Sequence, residues 1–271
     1  MPELPEVETT CRGIAPHIED NTITHVIVRN RSLRWPVPTA LHAKLKDQVV
    51  RSVTRRAKYL LLNTDAGTLI IHLGMSGSLR ILAIDEIVDK HDHFEIQFKD
   101  GYCLRLRDPR RFGAVLWTKE DPLQHKLLIN LGPEPLDKKF TADLLFEKSR
   151  KRKTSIKQFI MDAKIVVGVG NIYASESLFL AGINPKKAAG KITKAQSQDL
   201  VKAIKKILTA AIKQGGTTLK DFKSSDGKPG YFQQKLKVYD RKGSDCLKCN
   251  SPIKQITLGQ RSTFYCSSCQ K

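Results

Sequence analysis

The chain has 271 residues, 40% of them hydrophobic, with 47 lysines and arginines against 27 acidic residues and a formal net charge of +20. That length and apolar content fit two domains of ordinary size, or one domain and a half. The charge predicts a polyanionic partner, nucleic acid first, and disfavours a membrane-surface protein, because no basic amphipathic helix with a broad aromatic face stands out. No apolar run reaches membrane-spanning length. The acidic, proline-punctuated start is unlike a signal peptide. Of six cysteines, four lie at the C-terminus and two, Cys11 and Cys103, stand alone. This is no secreted disulfide framework; it suggests a reducing cytoplasm and a metal site.

In chain order, Val7, Cys11, Ile14 and Ile18 recur at helical spacing and predict a first helix, with Pro5 suited to its first turn. Strands are expected at 23–30, 49–64, 68–82 (broken at Gly74 and Gly77), 93–99, 102–106 and 114–118, with Asp100-Gly101 as a hairpin turn. The expected first domain, 1–131, is therefore β-rich, a sandwich or barrel flanked by helices. Leu131-Gly-Pro-Glu-Pro135 opens a linker over 132–140. Helices are expected from Leu144 to Arg150, Ser155 to Ala163, Ile172 to Ala181 and Thr193 to Gln214, giving a helical domain over 141–230. A cysteine module over 231–271 completes an α+β chain.

The first residues carry chemistry. With Met1 removed, Pro2 is a free secondary amine, and Glu3 and Glu6 lie within one helical turn of it. An amine attacks an electrophilic carbon to form an imine, and a neighbouring carboxyl shuttles the proton. At the other end, Cys246 and Cys249, then sixteen intervening residues, then Cys266 and Cys269, supply four thiolates for one tetrahedral Zn²⁺. A site with four protein ligands has no open position for water, so the metal is structural. The segments 253–258 and 261–265, joined by Gly259-Gln260, read as the β-hairpin of a zinc finger, whose tip offers Arg261 to a groove or to phosphates.

Glycines at 168 and 170 precede a helix whose N-terminus suits an anion, and Lys148, Arg150, Lys151, Arg152, Lys153 and Lys157 lie just upstream. In the β-rich half, Lys58 at the edge of an apolar strand serves as a surface residue, a general acid or base, or a phosphate contact. Met75 lies between glycines, and Arg110 and Phe112 lie in a turn, where an exposed Met, Arg and Phe can fill a gap left in a base stack. Enzymes acting on a base inside duplex DNA must flip it out, and such wedges lower the cost.

These segments, PELPEVE at 2–8, RRAKYL at 55–60, HLGMSG at 72–77, KHDH at 90–93, DPRRFG at 108–113, VVGVGNIYASE at 166–176 and the two cysteine pairs, resemble the formamidopyrimidine-DNA glycosylases along nearly the whole chain. The resemblance implies a β-sandwich domain, a helix-two-turns-helix domain with a zinc finger, and a monomer that excises oxidised purines from double-stranded DNA and cuts the strand by β,δ-elimination. It implies Pro2 as the nucleophile, Glu3 as the acid that helps open the sugar, Lys58 as the β-elimination lysine, and Arg261 as the finger residue linked to the second elimination. Met75, Arg110 and Phe112 resemble the void-filling trio, with Arg110 facing the orphaned cytosine. His91, Arg152, Lys157 and Asn171 resemble phosphate or DNA contacts, and 217–231 the loop over the flipped base. Three other readings stay open: the sister endonuclease VIII group, a catalytically silent binder of the same fold, and a zinc-finger protein of undamaged DNA.

Overall fold

The computed structural model describes residues 2–216 and 235–271. It divides into two compact units, one of residues 2–129 with 214–216, the other of residues 130–213 with 235–271.

The first unit opens with helix α1 (Leu4–Ile18), with Glu3 at its N-cap and Pro5 in its first turn, where no N–H is needed. Strands β1 (Ile23–Val28), β5 (Ser78–Ala83), β6 (Asp92–Phe98) and β7 (Tyr102–Arg107) form one antiparallel sheet in the order β1-β6-β7-β5. Strands β2 (Ser52–Arg56), β3 (Tyr59–Thr64), β4 (Gly67–His72) and β8 (Ala114–Thr118) form a second, in the order β2-β3-β4-β8. The sheets share one core. Phe94, Ile96, Phe98, Leu104 and Leu106 of the first and Leu60, Leu62, Leu69, Ile71 and Val115 of the second belong to it, with Val7, Ile14 and Ile18 of α1. Within β6, β3 and β4 these residues alternate, the period that puts one set of side chains on one face. A short helix α2 (Leu41–Leu45) adds Leu41 and Leu45.

The expected single strand over 49–64 is two strands. Arg56 pairs with Tyr59, so Ala57 and Lys58 form a two-residue hairpin turn. Ala57 takes φ 55°, a left-handed conformation that costs a residue with a side chain roughly 1–2 kcal/mol. The expected 68–82 strand divides at its glycines into β4 and β5, which belong to different sheets.

The opposite face of β6 and β7 holds a buried ion network. Arg105 and Glu95 are fully buried, with Arg105 Nε donating to Glu95 Oε2 at 2.7 Å. Arg29 reaches the same carboxylate at 2.8 Å, and Arg80 reaches Asp92 at 2.6 Å. Arg105 also donates to the carbonyls of Glu86 and Ile87, fixing the loop that leads to His91.

The second unit holds α3 (Ala142–Ser149), α4 (Ile156–Met161), α5 (Asn171–Leu180) and α6 (Lys194–Lys213), then the hairpin β9 (Lys254–Leu258) and β10 (Arg261–Tyr265). Thr141 and Ser155 cap α3 and α4 through their hydroxyls. Gly259 (φ 53°) and Gln260 (φ 59°) link β9 to β10, both with positive φ, as a type I′ hairpin turn requires. Among the described residues no helix is long and apolar enough to cross a membrane.

Candidate active site and nucleic-acid interface

In the first unit the N-terminus is packed rather than frayed. Pro2 is buried, and Glu3 and Glu6 are 3% and 0% exposed. Glu6 turns back and accepts the Glu3 N–H at 2.8 Å, and the Glu3 carboxylate accepts the Glu6 N–H in return, so the two carboxylates near Pro2 close a capping box at the helix start. One turn on, Glu8 ties α1 to β2. Its carboxylate accepts from Arg55 Nε and Arg12 Nε, each at 2.7 Å. Burial pushes the Glu8 carboxyl up, but the hydrogen bonds and charges of Arg55 and Arg12 outweigh this and hold it below its ordinary value. Arg55 then donates to the Ala57 carbonyl at 2.8 Å. A continuous link therefore runs from the helix of Pro2 and Glu3, through Glu8 and Arg55, to the strained turn bearing Lys58. That link compensates for the left-handed Ala57 and sets the lysine relative to the N-terminus.

Behind Lys58 lies His72, which pairs with Tyr59 across the sheet, the two rings 4.8 Å apart. Its Nδ1 accepts the Gly74 N–H at 2.9 Å, so the neutral ring carries its proton on Nε2. Burial first, then the charges of Lys58 and Arg34, hold the imidazole down to about 4. His72 thus stays uncharged beside the lysine and joins the Lys58 turn to the loop of Met75. In the sequence this histidine opens HLGMSG and carries no assigned role. Its signal is the position directly before a Leu-Gly turn.

At the end of the same sheets, Met75 is half-buried, whereas Arg110 and Phe112 are exposed, with the Arg110 guanidinium 5.0 Å from the Phe112 ring centre. Phe112 is 45% exposed, a large apolar ring facing solvent beside a cation. His91 is adjacent; its carbonyl accepts the Asp108 N–H at 2.9 Å, next to that loop. The structure therefore brings His91, Met75, Arg110 and Phe112 to neighbouring loops.

In the second unit Lys157 departs from the expectation of a DNA contact. It is fully buried, and its ammonium donates to Asn171 Oδ1 at 2.6 Å, Thr263 Oγ1 at 2.8 Å and the Ser262 carbonyl at 3.1 Å. Three donors committed to the fold are not offered to a phosphate. The physical reason is that an ammonium leaves water only where all its protons find acceptors, and α5 and β10 supply them. Asn171 in turn donates to the Ser262 carbonyl at 2.9 Å. Lys157 thus places two other predicted contacts, Asn171 at the start of α5 and Arg261 next to Ser262. Arg152 and Arg261 are exposed. Arg152 lies apart from this knot, in a loop whose carbonyl accepts the Gly190 N–H at 2.9 Å.

A further residue without a role in the sequence reading is Glu176, on α5. It is 1% exposed and accepts the N–H groups of Lys237, Val238 and Tyr239, each at 2.9 Å. Burial pushes its carboxyl above the ordinary value against those three bonds. It anchors the segment that leads into the cysteine module.

The Sγ atoms of Cys246, Cys249, Cys266 and Cys269 all lie within 4.8 Å of one another. A tetrahedron of thiolates about 2.3 Å from a zinc ion has sulfur–sulfur edges of about 3.8 Å, and the pairs Cys246–Cys269 and Cys249–Cys266 are 3.9 and 3.5 Å apart. The four residues fit one metal ion. Phe179, Val238, Ile253 and Phe264 pack with Cys246 and Cys266 into a small core, so the cluster belongs to the fold of the finger. The expected loop over 217–231 lies outside the described residues.

The formamidopyrimidine-DNA glycosylase N-terminal domain matches residues 1–115, and the helix-two-turns-helix domain of the same family matches 131–223. The formamidopyrimidine-DNA glycosylase of Idiomarina loihiensis is 58% identical over 271 residues, the whole of both chains. That of Photobacterium profundum is 56% identical over the same span, again all of both chains. Among solved structures, a mutant of the Lactococcus lactis protein bound to DNA containing Fapy-dG is 33% identical, with a TM-score of 0.92 over 100% of each chain. A relative bound to DNA containing carbocyclic 8-oxo-G is 34% identical, with a TM-score of 0.91 over 100% of each.

Proposed function

We propose the following division of labour for this chain, which belongs to the formamidopyrimidine-DNA glycosylase family. It is a DNA-repair enzyme, a glycosylase with lyase activity at abasic sites, and its substrate is duplex DNA carrying an oxidised purine. The observation that carries the assignment of roles is the buried Pro2–Glu3 pair at the head of α1, linked through Glu8 and Arg55 to the Lys58 turn.

Once Met1 is cleaved, the Pro2 nitrogen is a secondary amine and attacks C1′ of the damaged nucleotide. The C1′–N bond breaks and the base leaves with the electron pair. Glu3 protonates O4′ as the sugar opens, which leaves a C1′ iminium on Pro2. The iminium acidifies the C2′ hydrogens. Removal of one proton expels the 3′ phosphate, and a second elimination expels the 5′ phosphate. Lys58 serves the first elimination and Arg261 the second. Met75, Arg110 and Phe112 fill the space vacated by the flipped base, with Arg110 toward the widowed cytosine. His91, Arg152 and Asn171 contact phosphates, and Lys157 acts through Asn171 and the finger. Zn²⁺ is the ion held by Cys246, Cys249, Cys266 and Cys269; when bound it closes the finger and takes no part in bond breaking. The enzyme works as a monomer on cytoplasmic DNA.

Borohydride trapping tests this reading. Protein lacking Met1 is mixed with a duplex carrying 8-oxoguanine opposite cytosine, reduced, digested and mapped. An adduct on Pro2 is expected. An adduct on Lys58 would overturn the Pro2 assignment while keeping the reaction class, and tight binding without an adduct would leave a silent binder.

A further inference from the structure

Two loops of the β-sandwich, residues 73–77 and 108–113, carry the trio assigned to the emptied base stack. One buried carboxylate joins them. Asp108 is fully buried. Its Oδ1 accepts from the Ser76 hydroxyl at 3.0 Å, and its Oδ2 accepts the Gly113 N–H at 2.7 Å. Its carbonyl accepts from His93 Nε2 at 3.0 Å, and its own N–H donates to the His91 carbonyl at 2.9 Å. Ser76 follows Met75, and Gly113 follows Phe112, so each oxygen holds one loop one residue from the side chain that matters. The loops touch backbone to backbone: a Cβ on Gly74, at φ 65°, would lie 2.4 Å from the Phe112 carbonyl carbon. A Cβ on Gly113 would lie 2.9 Å from Asp108 Oδ2 and from the His72 carbonyl. Both glycines are thus required by this contact.

Among the described residues no basic side chain forms an ion pair with Asp108, although the chain carries 47 of them. A buried carboxylate without a cation is used here for the geometry of its two acceptors, which a neutral amide can reproduce: an amide oxygen for the Gly113 N–H and an NH₂ for the Ser76 oxygen.

We propose that Asp108 is a positioning residue for recognition of the opposite base. It locks Met75 in register with Arg110 and Phe112, so that the three enter the duplex as one rigid wedge. The proposal rests on the assignment of those three residues to the gap. A misplacement of about 1 Å at such a site can cost on the order of a hundredfold in rate.

The test compares single-turnover excision of 8-oxoguanine opposite cytosine and opposite adenine, together with borohydride trapping on a single-stranded abasic oligonucleotide, which offers no stack to fill. For Asp108→Ala the cytosine-to-adenine rate ratio is expected to fall about tenfold or more, with single-strand trapping within about twofold of wild type. Asp108→Asn should restore the ratio. Ser76→Ala, which removes one of the two bonds and leaves the Gly113 bond, should move the ratio the same way by less, and it stands in if Asp108→Ala does not fold. A wild-type ratio in both Asp108→Ala and Ser76→Ala, or an equal loss of duplex excision and single-strand trapping, overturns the proposal. Arg110→Ala is the reference. A ratio that falls there but not in Asp108→Ala overturns the clamp alone; a ratio unchanged in both overturns the assignment of the trio as well.

Discussion

Lys157→Met separates a phosphate contact from a structural one. The wild-type ammonium makes bonds of 2.6, 2.8 and 3.1 Å to Asn171, Thr263 and Ser262. A hydrogen bond to a charged group contributes about 1.5–3 kcal/mol, against several kcal/mol for taking the ammonium out of water. Methionine removes both contributions but strands the acceptors. The Ser262 carbonyl keeps the Asn171 amide at 2.9 Å, and the Thr263 hydroxyl keeps the Arg261 carbonyl at 3.2 Å. Asn171 Oδ1 then loses its charged donor, at about 1–3 kcal/mol, and α4 loses its tie to β10. The expected net loss is about 3 kcal/mol, or roughly 10 °C in the melting temperature of the helical unit. DNA affinity is expected to fall because Asn171 and Arg261 move, while the slope of log K against log salt stays unchanged. A lysine touching a phosphate behaves oppositely: stability is kept and the slope drops by about 0.9. Calorimetry with a salt titration on the same variant decides, and an unchanged melting temperature with a reduced slope would refute the buried assignment.

Acid should weaken the sandwich through His72. Its folded pKa of about 4 lies below the ordinary 6.5, so the unfolded chain binds the extra proton between those values. Stability present above pH 6.5 is lost as pH falls toward 4, by about 3 kcal/mol in all; His72→Gln should flatten that part of a denaturation-versus-pH curve. Arg105→Met leaves the buried Glu95 and Asp92 carboxylates without their central cation and should cost about 3–5 kcal/mol in urea unfolding, with no change in zinc content. Metal analysis of purified protein should give one zinc per chain. Chelation, or Cys266→Ala, should abolish duplex binding while the melting of the β-sandwich, followed through its own tryptophans Trp35 and Trp117, stays in place.

What the sequence showed follows from how local each signal is. The finger hairpin was legible to the residue at Arg261, because Gly259 marks the turn and the strands on either side are short and alternating. The clustering of Cys246, Cys249, Cys266 and Cys269 was legible because paired cysteines at this spacing suit one metal ion. The hairpin at Ala57–Lys58 was not legible: nothing in Arg-Ala-Lys-Tyr marks a turn, and the left-handed Ala57 is held by Arg55 from the preceding strand, itself held by Glu8 of α1. The basic residues from 148 to 157 look alike in the sequence, yet the fold exposes Arg152 and buries Lys157 completely. No property of the run distinguishes them; only the acceptors on α5 and β10 do. The same division holds across the candidate site. The residues assigned to DNA, Arg110, Phe112, Arg152 and Arg261, stand exposed on turns or at strand ends, where sequence motifs point to them. The residues that hold the Lys58 turn, the Met75 and Phe112 loops and the start of β10, namely Glu8, Asp108 and Lys157, are polar and half- or fully buried, each with a partner between 32 and 106 positions away. A net charge of +20 announces the partner, but the placement of the Lys58 turn, the Phe112 loop and the start of β10 depends on these few charges that the fold withdraws from solvent.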